Sequence, residues 1–202
     1  MKAEEKIYKA FYDAKNKRLY FSELKEKTKL SNSSLQNALK KLEKEKFLEI
    51  DKQTSNVFFR INENEKPIIF SQFDKIRLNN LNPEVRVPLK NWLNRLPAEL
   101  YSVILFGSTS RKQEKEGSDI DLLVILFKFE NDEFQKLYEK EIKQKINSLT
   151  KKINSESNYL LKVIFTNTDS FKITKDYLIK QAKETGFPIF GNLGYHKQNE
   201  EN

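Results

Sequence analysis

The chain has 202 residues, of which 38% are hydrophobic and 33% charged, with 15 Phe and 8 Tyr, so it can bury one large core or two small ones beneath a polar surface. It has no cysteine and a single histidine, which excludes disulfides, thiolate metal sites and a cysteine nucleophile and leaves oxygen ligands for any metal. No run approaches the roughly 20 uncharged apolar residues of a membrane span, and the charged start of the chain lacks the apolar stretch of a signal peptide, so a cytoplasmic protein with no membrane partner is expected.

The net charge of +8 is unevenly spread: residues 1–62 hold 15 Lys+Arg against 9 Asp+Glu, a net +6, which leaves +2 for residues 63–202. A basic excess confined to one segment points to a polyanion partner for that segment. Ile7, Ala10, Phe11 and Ala14 recur at helical spacing and predict a helix over residues 3–16. A brief extended piece follows at residues 18–21, then a short helix begun by Ser22 and carrying Leu24 and Leu30. Ser31 is an N-cap for a third helix running to about Lys46, with Leu35, Ala38, Leu39 and Leu42 as its apolar stripe. Residues 47–50 and 57–61 read as two strands around the polar tip 51–56.

Helix, short strand, helix, helix, strand, strand is the order of a winged helix-turn-helix, and residues 3–62 resemble archaeal and bacterial winged-helix regulators in that pattern. Facing away from the third helix's apolar stripe are Ser33, Ser34, Gln36, Asn37, Lys40, Lys41 and Lys44. The small polar and amide side chains suit base edges in a major groove of double-stranded DNA, and the lysines suit phosphates. Lys52 and Arg60 belong to the wing. The competing reading is a solvated, lysine-rich helix face or a protein-contact module.

Pro67 follows a polar stretch and marks a boundary. Residues 63–96 are expected as a helical connector of two helices, the first with Ile68, Ile69, Phe73, Ile76 and Leu81, the second with Val85, Leu89, Trp92 and Leu93. Pro83 suits a helix start, whereas Pro88 leaves that start uncertain. Trp92 is expected as a core anchor.

Residues 97–194 form the expected second domain. Residues 101–106 are a β-branched and aromatic run that stops at Gly107 and Ser108; residues 109–116 suit a short helix, and residues 119–126, opening Asp-Ile-Asp, read as a second strand. Gly107 lets the backbone turn sharply and approach an anion, and Ser108 offers a hydroxyl and an N–H at a helix start. On a strand Asp119 and Asp121 point to one face while Ile120 and Leu122 point to the other. Two carboxylates on one face suit a hard divalent ion that keeps waters and takes further ligands from phosphate.

The spacing G-S-x10-D-x-D between apolar strands resembles the nucleotidyltransferase superfamily typified by DNA polymerase beta, especially its small stand-alone members. The resemblance implies that Gly107 and Ser108 bind nucleotide phosphates and that Asp119 and Asp121 are catalytic metal ligands for Mg²⁺ or Mn²⁺. Arg111 is a nucleotide-binding candidate one turn into the helix, beside Lys112. An α+β protein is thereby expected: a winged helix followed by a nucleotidyltransferase-fold domain, with a small mixed sheet flanked by helices.

The resemblance implies a third carboxylate on a later strand in most active members, although some small relatives lack it. The matching strand here, residues 159–166 after a long helix over 131–152, has no acid and holds Lys162 mid-strand; Glu156 and Asp169 are the nearest acids. A cation beside a dication weakens metal binding and removes a proton acceptor. The alternatives stay open: an enzyme that transfers a nucleoside monophosphate from ATP or another nucleoside triphosphate to a hydroxyl on a protein, an RNA end or a small molecule, or a degenerate domain in a DNA-binding regulator or antitoxin. A homodimer is expected only by analogy. After short helices at 168–171 and 175–185, residues 186–191 read as a last strand, and residues 195–202, with His196, as a flexible polar tail.

Overall fold

The apolar stripe expected on the third helix is the inner face of a small unit spanning Met1–Phe73, and a second unit spans Asp74–Gln198. The structure is a computed structural model that describes residues 1–15, 18–53, 56–115, 117–173 and 175–198. Among the described residues no helix is long and apolar enough to cross a membrane.

In the first unit the chain runs α1 (Ala3–Ala14), β1 (Leu19–Tyr20), α2 (Phe21–Thr28), α3 (Asn32–Lys44), β2 (Leu48–Gln53) and β3 (Asn56–Ile61). Helix, strand, helix, helix, strand, strand is thus the observed order. Ile7 and Phe11 of α1, Leu24 of α2, and Leu35, Leu39 and Leu42 of α3 close on Leu48, Phe59 and Ile61 of the sheet. The three strands are antiparallel in the order β1-β3-β2, with Leu19 opposite Phe59 and Leu48 opposite Ile61. Ser31 caps α3 by accepting the Ser34 N–H at 3.2 Å. Helix α2 starts at Phe21 rather than Ser22, because the Glu23 carboxylate accepts the Tyr20 N–H at 2.8 Å and so fixes Tyr20 as the cap. Part of the expected hairpin tip, residues 54–55, lies outside the described residues.

The two helices expected over 63–96 are α4 (Lys66–Asn79) and α5 (Pro83–Leu93), and the division between the units falls inside α4. Ile69 and Phe70 are buried in the first unit's core, where the Tyr12 ring stacks on Phe73 at 5.2 Å. In α5, Pro83 takes the first helical position and Pro88 stands inside the helix. An interior proline deletes one backbone hydrogen bond; the complete burial of Val85, Leu89 and Trp92 holds the helix regardless.

The second unit is built on β4 (Ser102–Phe106), β5 (Ile120–Leu126), β6 (Leu161–Asn167) and β7 (Phe187–Phe190), in the order β6-β5-β4-β7. Strand β4 is antiparallel to β5 and β7, and β5 is parallel to β6, so the sheet is mixed. Alternation sorts the central side chains onto two faces. Leu122 and Val124 meet Trp92 of α5 and Ile142 and Ile146 of α7 (Asp132–Asn154). Leu123 and Ile125 meet Phe171 of α8 (Thr168–Ile173) and Ile179 and Ala182 of α9 (Tyr177–Thr185). This is the α+β architecture expected, a small mixed sheet flanked by helices.

The chain end departs from expectation. Residues 192–198 form helix α10 (Asn192–Gln198), and His196 is buried rather than carried in a polar tail. Its Nε2 lies 2.7 Å from Oδ2 of Asp74, itself fully buried, and Asn192 Nδ2 donates to the same oxygen at 3.0 Å. A buried carboxylate demands such partners, and supplying them ties α10 to α4.

Candidate functional site

A single row across three neighbouring strands carries the site. Phe106, the last residue of β4, pairs with Asp121 of β5, and Asp121 pairs with Lys162 of β6. Gly107 follows directly and turns the chain out of the sheet with φ +73°, a left-handed conformation that costs a glycine nothing. A Cβ at this position would overlap the Asp121 carboxylate, reaching 3.2 Å from its Cγ and closer still to Oδ2. The glycine is therefore required twice, by its dihedral and by the carboxylate seated on its Cα.

Helix α6 covers only Gly107–Ser110, which corrects the helix expected over residues 109–116. Arg111 is its C-cap and Lys112 is left-handed at φ 56°, so the chain leaves the helix within one turn. Arg111 stands at the end of that turn, exposed, and its Nε donates to Gln113 Oε1 at 3.1 Å. The short helix is held from below. Ser110 Oγ bonds to the carbonyls of Gly107 and Thr185 at 2.9 and 3.2 Å, and Arg77 Nη2 donates to the Ser110 carbonyl at 3.0 Å. The Arg77 guanidinium also lies 4.0 Å from the Phe187 ring centroid. Ser108 remains partly accessible among buried Gly107, Thr109 and Ser110.

Asp119 is exposed, immediately before β5, and the buried Thr109 hydroxyl reaches its carbonyl at 3.5 Å. Asp121 is half-buried. Burial raises its carboxyl pKa above the ordinary value; the Lys162 ammonium pulls the other way, and Asp119 adds a smaller upward push. Asp119 and Asp121 stand two residues apart on either side of the buried Ile120.

The donor set admits a limited metal chemistry. Among the described residues no group of three or more His, Asp or Glu side chains is placed to hold a metal ion. Two carboxylates beside a glycine cradle nevertheless suit Mg²⁺, which is held by one or two protein carboxylates when phosphate oxygens and waters complete its shell. Glu156 and Asp169, the acids considered nearest the third position, are exposed and lie outside the paired row. Lys162 stands in that row. Its proximity to Asp121 follows from the register between β5 and β6, which no local pattern in residues 159–166 gives.

In the first unit Ser33, Ser34, Gln36, Asn37, Lys40, Lys41 and Lys44 are all exposed on α3, as are Lys52 and Arg60 on the hairpin. Two of these cations are already engaged. Lys41 Nζ lies 2.6 Å from Glu4 Oε1, and Arg60 Nη2 lies 2.6 Å from Glu49 Oε2. The first pairing raises the Lys41 pKa and lowers that of Glu4. Glu4 was not foreseen as a neighbour of the basic face, since it stands 37 positions away in the chain.

Residues 89–185 match the family model described as a nucleotidyltransferase domain. The matched stretch contains the whole row of Gly107, Asp121 and Lys162 and supports the nucleotidyltransferase superfamily for this part of the chain. No curated protein matches the sequence. Among solved structures, one concerned with the regulation of DNA binding of Bordetella bronchiseptica BpsR by 6-hydroxynicotinic acid is similar over 46% of this chain and 75% of that chain, at 17% identity and a TM-score of 0.30.

Proposed function

We propose that the second unit is a nucleotidyltransferase that takes a nucleoside triphosphate such as ATP with Mg²⁺ or Mn²⁺ and transfers the nucleoside monophosphate to a hydroxyl acceptor, and that the first unit is a winged helix that binds double-stranded DNA. The observation that carries the transferase reading is the Asp121 carboxylate seated over the Gly107 turn, inside the stretch that matches the family model. In this reading the N–H groups of Gly107 and Ser108 hold phosphate oxygens, and Asp119 and Asp121 orient the ion that accompanies them. When bound, that ion offsets the charge that builds on the transferring phosphorus. Acceptor classes consistent with the chemistry include a protein hydroxyl, with the chain acting as one half of a protein pair.

The test is direct. The full-length protein incubated with each nucleoside triphosphate and Mg²⁺ is expected to release pyrophosphate, and to stop doing so when EDTA is added. Tight triphosphate binding without pyrophosphate release from any nucleotide, across protein, RNA and small-molecule acceptors, would favour the second reading. In that reading the domain is a catalytically degenerate sensor within a DNA-binding regulator or antitoxin. Lys162 in the row where a carboxylate would complete the metal site is what favours it.

For the first unit, the basic excess, the order of elements and the exposed polar face of α3 support the DNA reading. Lys40→Ala is expected to weaken DNA binding across sequences and to lower the salt slope by about one phosphate contact. Lys41→Ala should do less, because Glu4 already offsets that charge. Equal losses in fluorescence anisotropy titrations at several salt concentrations, or no DNA complex at low salt, would overturn the assignment of this face.

A further inference from the structure

Lys162 has a place in the phosphate site that neither the family match nor the two aspartates account for. Strands β5 and β6 are parallel, with Asp121 opposite Lys162 and Leu123 opposite Ile164. Paired residues share a face. Ile164 packs with Leu123 on the α8 and α9 side, whereas Val163 packs with the opposite core. Lys162, one step of two residues before Ile164, therefore stands on the same face as Asp121, at the mouth where β4 gives way to the Gly107 turn. Its side chain is exposed. The ammonium and the carboxylate feel each other electrostatically.

A protonated lysine has no lone pair for a metal, so it cannot complete a second cation site. What it can do is supply a fixed positive charge with three donors beside the phosphates. We propose that Lys162 is a phosphate-binding cation of the nucleotide site, standing beside Asp121 where a second divalent ion would need a third carboxylate, so that the site takes a nucleoside triphosphate carrying a single Mg²⁺. This rests on the transferase-type reading of the same site. A plain structural role also exists: β6 is an edge strand, and lysines there block unwanted pairing. That role predicts no dependence of nucleotide affinity on Lys162.

The experiment titrates full-length protein with Mn²⁺ and a non-hydrolysable ATP analogue, counting bound Mn²⁺ by electron paramagnetic resonance and measuring nucleotide affinity by calorimetry. Wild type is expected to bind one Mn²⁺ per bound nucleotide. Lys162→Met should weaken the nucleotide about tenfold or more, the loss of a charge-assisted contact to phosphate, with one Mn²⁺ retained. Lys162→Asp should add a second Mn²⁺. Matched thermal melts establish that both variants are folded; Lys162→Gln substitutes for Lys162→Met if that variant unfolds, and Lys162→Glu for Lys162→Asp. Two Mn²⁺ in wild type, or unchanged nucleotide affinity in Lys162→Met, overturns the proposal while leaving the transferase reading in place. Wild type that binds no nucleotide with Mn²⁺ overturns both.

Discussion

Asp121→Asn is expected to lower nucleotidyl transfer by at least about a thousandfold, corresponding to roughly 4 kcal/mol of barrier, while leaving the protein as stable as wild type or more so at neutral pH. The two effects separate because the carboxylate is well placed for a ligand and poorly placed for the fold. Asparagine has the same shape and fits above Gly107, where a Cβ could not. The charge it removes is one that burial disfavours. Because the folded-state pKa of Asp121 is raised above 3.8, the folded protein holds this proton more readily than the unfolded chain. Stability therefore falls as pH rises from the ordinary carboxylate value through the folded value, and the cost is complete at pH 7. The variant lacks that titration, so its stability advantage should vanish in acid. Pyrophosphate release and thermal unfolding at pH 7 and pH 3.5 measure both halves. Activity within tenfold of wild type would remove Asp121 from the catalytic site, and a large drop in melting temperature would show that it serves the fold instead.

The parts of this site that were legible in the sequence are those that depend on near neighbours. Gly107 and Ser108 lie in one turn, and Asp119 and Asp121 stand just before and just inside one strand, between apolar runs that are plain in the sequence. What depended on pairing distant segments was harder to read. Lys162 could be seen as the wrong residue for a third acid, but its place beside Asp121 rests on a register across a long helix. His196 looked like tail because its flanking residues are polar. It is buried because Asp74, 122 positions earlier, sits on an apolar helix face and needs a partner. A lone acid among Phe70, Phe73 and Leu78 was the available signal for that pair. Helix α6 was overestimated for a local reason: residues 109–116 have ordinary helix formers, and nothing in them announces that Lys112 turns left-handed. Periodicity was enough to place the polar residues of α3 on its exposed side, yet the charge of that side depends also on Glu4 from another helix.

Trp92→Ala should give the converse of the aspartate variant, a large loss of stability with the chemistry intact while the protein stays folded. Trp92 is fully buried among Val85, Leu89, Ile142 and Ile146, where α5 and α7 close over one face of the sheet. Its indole Nε1 donates to Thr150 Oγ1 at 3.0 Å, and that hydroxyl in turn donates to the Ile146 carbonyl at 2.7 Å. Truncation removes the ring and leaves a cavity that two helices and a sheet cannot easily close, at a cost of about 3–5 kcal/mol. For a chain of this size that corresponds to a fall in melting temperature of roughly 6–20 °C. Trp92→Phe keeps most of the volume and gives up the hydrogen bond, so a loss of about 1–2 kcal/mol is expected. Thr150→Val tests the same bond from its other end, and its effect should overlap with that of Trp92→Phe rather than add to it. The ring is on the α5 and α7 face while Asp121 and Lys162 point to the opposite one. Below the variant's own melting temperature, nucleotide affinity and pyrophosphate release should therefore stay within about threefold of wild type, a bound that follows from the weak coupling of separated positions. A loss of activity at temperatures where circular dichroism still reports a folded protein would mean that α5 positions the site from the opposite face of the sheet.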